Sequence, residues 1–429
     1  MTMSARLSSR RSRLALAGIL ALTLAAVAVR SPAGGTGPDV TVYELPSVQN
    51  WGAAGGIRAY SVGTTSCNIG DEPLWWCDDD RTYCDSDQHP VIAQNLYRLK
   101  DGRFEQLGMS WLKHGFLALS IPAADCRGGI CESPPHGGDQ LGVGCTDPYS
   151  SGLNGNRPLG LRSEVNGATG DFPFPYTIVP SPLVIDQRLQ VAETELDPAL
   201  NPGARFWVEG HYIAADDARF ENGLNNASYR EVSVSPGSFN LNNAGPTVRQ
   251  ASALYAWQAV DPTVEIVNAD VVPSSPVQRF EVGRNVTPIG GGWHYEYAIH
   301  NLNSDRSARS FTVQLPPGSE ISNAGFRDVE HHSGEPYSTA DWDIAIDGAA
   351  GTISWSTDTF DVDEFANALR WGTTFSFWFD ADAAPAGLGH TLDLFKPGSP
   401  SVIEVPFNTL IFTDGFESGD TSAWSQSTP

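Results

Sequence analysis

Lysine is almost missing from this chain. Only Lys100, Lys113 and Lys396 occur, so covalent catalysis through a lysine amine has few places to sit. Cysteine stops at Cys145, and beyond the first three residues methionine occurs once, at Met109. No Gly-x-Ser-x-Gly elbow is present, which argues against a serine hydrolase of that kind. No glycine-rich phosphate loop or dinucleotide fingerprint is present either, which argues against a nucleotide cofactor. Beyond residue 28 no apolar run approaches the roughly 20 residues that span a bilayer, so no transmembrane anchor is expected in the exported chain. Positive charge is scarce too: 26 Lys and Arg face 50 Asp and Glu, a formal net charge of −24. Such a surface disfavours nucleic acid and anionic membranes as partners and suits calcium, cationic ligands or plain solubility.

What is present begins with an export pattern. Arg6, Arg10, Arg11 and Arg13 form a basic start, residues 14–28 are an apolar run, and Ala26-Val27-Ala28 offers a small-x-small cleavage site. Residues 1–28 therefore read as a signal peptide. Arg13 stands where a twin-arginine signal usually has an apolar residue, so the general export route fits better. The expected location is secreted, periplasmic or cell-surface. Residues 29–40, rich in Gly, Pro and Ser, read as a linker.

Cys67, Cys77, Cys84, Cys126, Cys131 and Cys145 form one cluster. In an exported chain an even, clustered set reads as three disulfides rather than a zinc site, whose thiolates usually come in closer pairs. Local spacing favours Cys77–Cys84, Cys126–Cys131 and Cys67–Cys145.

With 43 Gly and 30 Pro there is little room for long helices, and the chain reads as all-β. Its length suggests two domains. A disulfide-stapled β domain is expected over 41–260 and an antiparallel β-sandwich of the Ig or jelly-roll kind over 261–410. The clearest hairpin covers 95–108, with Asp101-Gly102 as a type I′ turn, and 116–121 is expected to pair beside it. Further strands are expected over 204–214 and 229–234. The sandwich strands are expected over 263–269, 279–282, 293–300, 310–315, 342–346, 352–356, 374–380 and 402–405. The alternation of Trp293, Tyr295, Tyr297 and Ile299 places these four on one face.

Residues 411–429 form a tail. Its run Gly415-Phe416-Glu417-Ser418-Gly419-Asp420-Thr421-Ser422-Ala423-Trp424-Ser425 resembles a short C-terminal tail that recurs on otherwise unrelated secreted bacterial proteins. The body resembles uncharacterised exported bacterial proteins and no named enzyme family. The resemblance implies a bacterial secreted or surface product and says nothing of a reaction.

Three histidines, His89, His114 and His211, each fall at the start or in the middle of an apolar run. Neutral imidazoles on neighbouring strands could bind copper or zinc and leave one position open, with Met109 as a soft further ligand. Core histidines held by hydrogen bonds are the competing reading, since no His-x-His or His-Glu-x-x-His spacing joins them. Asp78, Asp80, Asp85 and Asp87 crowd the segment around Cys77 and Cys84, where repulsion between carboxylates would favour calcium; a solvated acidic loop is the competing reading. Glu209 and Glu231 are the best candidates for paired carboxylates. Glu330-His331-His332, with Asp328 or Glu335, reads as a surface loop.

Two functions follow. One is a mononuclear copper or zinc enzyme, oxidative or hydrolytic, acting on an extracellular polymer. The other is a non-catalytic protein for carbohydrate binding, adhesion or envelope structure, either calcium-dependent or independent of calcium.

Overall fold

A computed structural model describes residues 36–155, 158–385 and 387–407. The expected signal peptide, most of the linker and the tail lie outside these residues. The described chain is all-β, and its longest helix is Leu254–Val260. Among the described residues no helix is long and apolar enough to cross a membrane.

The hairpin forms as the sequence predicts. Val91–Lys100 pairs with Arg103–Met109, and Asp101 and Gly102 take φ of 52° and 87°, the left-handed pair that a type I′ turn needs. Val91–Lys100 also pairs with Arg205–Ile213, followed outward by Ala227–Val234 and Leu241–Val248. Residues 116–121 do not add a strand here. Lys113–His114 takes that place, and Ile121–Pro122 joins Cys145–Tyr149 in another sheet.

The disulfides explain this diversion and correct two of the three expected pairings. Cys77–Cys84 forms as expected, but the others are Cys67–Cys126 and Cys131–Cys145. The reason is register. Thr64–Asn68 pairs with Cys145–Tyr149 so that Cys67 lies opposite Thr146. Cys145 is one position away and therefore points to the other face of the sheet. Cys67 and Cys145 cannot meet across it. Each takes a partner from the 121–131 loop, which is thereby drawn away from the hairpin.

The sandwich consists of two five-stranded antiparallel sheets. One runs Glu265–Val271, Gln278–Ile289, Gly292–Asn301, Thr373–Ala381, Ile321–Arg327. The other runs Asp343–Asp347, Thr352–Ser356, Ala308–Gln314, Gly389–Leu394, Val402–Glu404. Ile321–Arg327 and Gly389–Leu394 were not expected. The first is interrupted by a bulge between Ser322 and Gly325 with Asn323 at φ 50°, and the second is short and polar at alternate positions. Tyr295, Tyr297, Phe311, Trp355, Phe377 and Phe379 fill the space between the sheets, with Tyr295 stacked on Phe379 at 4.6 Å.

Strand Gly292–Asn301 alternates as predicted, with Tyr295, Tyr297 and Ile299 in the sandwich core and Trp293 packed against it. Its opposite face is also covered. Ala298 belongs to a second apolar cluster with Tyr97, Phe104, Trp207, Leu254 and Trp257. Glu296 accepts two hydrogen bonds from Arg103, at 2.6 and 3.0 Å, and the Arg103 guanidinium lies 3.3 Å from the centre of the Trp378 ring. Ser376 Oγ donates to the Phe104 carbonyl at 2.6 Å, and Thr374 N donates to Gln106 Oε1 at 2.7 Å. Met109 lies within the sandwich core.

Loop length ranks the disulfides. By chain-entropy accounting, Cys67–Cys126, which spans 59 residues, stabilises by about 4 kcal/mol and the seven-residue Cys77–Cys84 loop by about 2.5 kcal/mol. Urea unfolding of the Cys67→Ala/Cys126→Ala and Cys77→Ala/Cys84→Ala double variants should reproduce that order. Peptide mapping without reduction should recover Cys131 joined to Cys145.

Candidate functional site

Two of the three predicted histidines meet. His89 Nε2 lies 2.9 Å from His114 Nδ1, and His89 Nδ1 lies 2.7 Å from the Cys77 carbonyl oxygen. Burial lowers both pKa values, that of His114 to about 2, so both rings are neutral. A carbonyl only accepts, so His89 Nδ1 carries a hydrogen and its Nε2 is the acceptor. His114 Nδ1 must then donate, which leaves His114 Nε2 as a bare lone pair. That atom is buried without a hydrogen-bond partner. Tyr176 stacks on His114 at 3.7 Å, and Phe172 contacts both imidazoles. Gly160 makes room for the ring, because a Cβ there would lie 2.4 Å from Nε2.

His211 is not part of this pair. It stands mid-strand on Arg205–Ile213, opposite Ala93 and Ala227, with neither nitrogen hydrogen-bonded. Burial lowers its pKa to about 4. Its ring meets Trp371 edge-on at 6.5 Å. Phe172 and Trp371 belong to one apolar cluster, so the imidazole pair and His211 flank the same packing but make no bond to each other. Asp80, Asp85 and Asp87 lie on an exposed loop with the half-buried Asp78, closed by the Cys77–Cys84 bond. There Asp80 accepts from Ser86 N, and Arg81 pairs with Asp79. Among the described residues no group of three or more His, Cys, Asp or Glu is arranged to hold a metal ion.

Glu209 and Glu231 have different surroundings. Glu231 pairs with Arg205 at the surface, whereas Glu209 is fully buried and accepts from Asn95 Nδ2, Tyr97 Oη and Ala253 N at 2.8, 3.0 and 2.6 Å. The loop around His332 is not at the surface either. His332, Ser333 and Glu335 are buried, and the Glu335 carboxylate accepts from the Arg162 and Ser163 backbone amides at 2.6 and 3.1 Å. Burial raises the Glu335 pKa to about 7, against the two backbone bonds, which pull it down.

These bonds lead to a feature the sequence did not signal. Arg162 is 1% exposed, and its guanidinium donates only to neutral oxygens, the carbonyls of Ser110, Gly372 and Gln94 and the Asn95 side chain. It forms part of the wall of a cleft of about 180 Å³, together with Tyr337, Phe360, Phe365, Arg370 and Trp371. Asp305 and Lys396, 2.7 Å apart, also line it. The cleft joins residues 162–165 to loops of the sandwich. A wider cleft of about 360 Å³, beside Ile178, Val179 and Arg188, has no aromatic residue in its wall.

No family model matches the chain, and no curated protein does. One solved structure that does match is described as "Complete structure of manganese lipoxygenase of Gaeumannomyces graminis and partial structure of zonadhesin of Komagataella pastoris". It shares 10% identity over 85% of this chain and 91% of that one, with a TM-score of 0.18. A superposition that shallow carries no argument about fold or function.

The neutral imidazole pair makes stability depend on acid. The folded chain resists protonation of His114, whereas the unfolded chain takes up the proton below its ordinary pKa of 6.5. Stability is therefore present above that pH and lost below it, by about 2 kcal/mol for one such histidine at about pH 5. The stability loss of His114→Gln between about pH 7.5 and pH 5, measured by urea unfolding, should be smaller than that of the wild type by that amount.

Proposed function

We propose that this chain is exported and binds an extracellular carbohydrate at the cleft formed by Arg162, Tyr337, Phe365, Arg370 and Trp371. The observation that carries this reading is the meeting of aromatic rings with fixed polar groups at one small opening. Sugar rings present an apolar face to aromatic side chains and hydroxyls to charged and amide groups. Tyr337, Phe360, Phe365 and Trp371 offer the faces, and Asp305, Arg370 and Lys396 offer the polar partners. Three disulfides suit an oxidising compartment, which supports export. Phe365 is 42% exposed, so its removal should leave the fold intact. A glycan array should return a bound saccharide, and Phe365→Ala should weaken that binding by at least about tenfold. Equal binding by the variant would place recognition elsewhere.

A second reading, a copper or zinc enzyme acting on an extracellular polymer, draws on the bare His114 Nε2. His114 would be the first ligand, and His89 could join only by giving up its bond to His114, because both its nitrogens are engaged. Elemental analysis after reconstitution tests this reading. About one copper or zinc per chain, lost in His114→Gln, would support it. A metal content unchanged by that substitution would remove it.

A further inference from the structure

We infer that the ligand of this cleft is an acidic sugar whose carboxylate is met by Arg370. This rests on the carbohydrate reading above and adds the charge of the ligand.

Arg370 is 7% exposed and, among the described residues, forms no ion pair with a carboxylate, although Asp305, Asp363 and Glu335 act on its charge from further off. One terminal nitrogen donates to the main-chain carbonyls of Glu364 and Ala366 at 2.8 and 3.0 Å, while Nε has no partner. Its guanidinium lies 4.5 Å from the ring centres of both Tyr337 and Phe395, which hold it in place. Arg162, in the same wall, likewise donates its side-chain hydrogens only to neutral oxygens, with Glu335 and Glu209 acting on its charge without a hydrogen bond to the guanidinium. Two desolvated guanidiniums without a carboxylate on either fork therefore share one cleft, in a chain carrying 50 acids. Several other arginines find acids, as in Arg98–Glu105, Arg103–Glu296 and Arg279–Asp270. Arg188, Arg249 and Arg306 bond to carbonyls but, among the described residues, do not share a cleft wall with a second such arginine and aromatic rings. With Nη2 committed to two carbonyls, Arg370 has its charge and its Nη1 hydrogens left to meet a carboxylate. Lys396 and Asp305 complete the wall as a pair and cancel each other's charge. Glu364 also lines the cleft but is exposed, so its charge is screened more than that of the buried guanidiniums. The aromatic faces then hold the ring while the guanidinium holds the acid.

Calorimetric titration of the whole protein with D-glucuronate, D-galacturonate, D-glucose and D-galactose tests this. The uronates should bind at least about tenfold more tightly than their neutral counterparts, and added salt should weaken only the uronates. Arg370→Gln should abolish that preference. Because Arg370 also holds the Glu364 and Ala366 carbonyls, Arg370→Lys serves as the second variant; it keeps the charge, loses the delocalised guanidinium and its Nη1 donors, and should lose part of the preference. Neutral sugars binding as tightly as uronates would overturn the acidic-sugar inference and leave the carbohydrate reading standing. Uronate binding indifferent to both variants would also overturn it. No binding of either kind of sugar, with an empty glycan array, would overturn both.

Discussion

Strand Gly292–Asn301 is buried on both faces from Tyr295 onward, and the packing of the two halves follows from that. One face supplies the sandwich core through Tyr295, Tyr297 and Ile299; the other packs against the hairpin and the Leu254–Val260 helix through Ala298. A strand with alternating polar residues normally turns those residues to water. Here Glu296 and His300 are buried against protein instead, and His294 is half-buried beside them. Each buried polar group then needs a partner: Glu296 finds Arg103, His300 Nδ1 lies 2.9 Å from Thr374 Oγ1, and His294 bridges Glu296 and Asp380. The Arg103–Glu296 bonds and the apolar cluster around Trp257 join the stapled half to the sandwich.

The same requirement places the candidate site. Where the join reaches solvent, the partners run out. Arg162 is satisfied by carbonyls and an amide, Arg370 keeps an unpartnered Nε, and both stand in a wall with Tyr337 and Trp371. The imidazole pair shows the same logic at the other side of the apolar packing. Hydrogen-bond direction passes from the Cys77 carbonyl through His89 to His114 and ends in a lone pair without a donor. Both features are polar groups left over after a buried seam has been closed.

Much of the fold was legible. The Asp101-Gly102 turn, the strand over 352–356 and the aromatic face of 293–299 could be read because each is a local signal, a turn dipeptide or a period of two. The bulged Ile321–Arg327 strand was not, since an inserted residue breaks the period. Histidine burial was anticipated for His89, His114 and His211, but not the company each keeps. Arg162 sits in Leu161-Arg162-Ser163-Glu164, a segment with no motif, so nothing local marked it as a wall of the cleft.

The sequence by itself determined the all-β class, the participation of all six cysteines in disulfides and the local Cys77–Cys84 bond. These depend on composition, short spacing and the alternation of neighbouring residues. Only the tertiary structure decided which face Cys67 and Cys145 point to, and therefore their separate partners, because strand register is set between segments about 80 residues apart. It also decided that the loop bearing His332 and Glu335 is buried and that Arg162 meets Arg370 at one cleft. Neither property resides in any one stretch of chain: both arise where two sheets press a polar surface out of water.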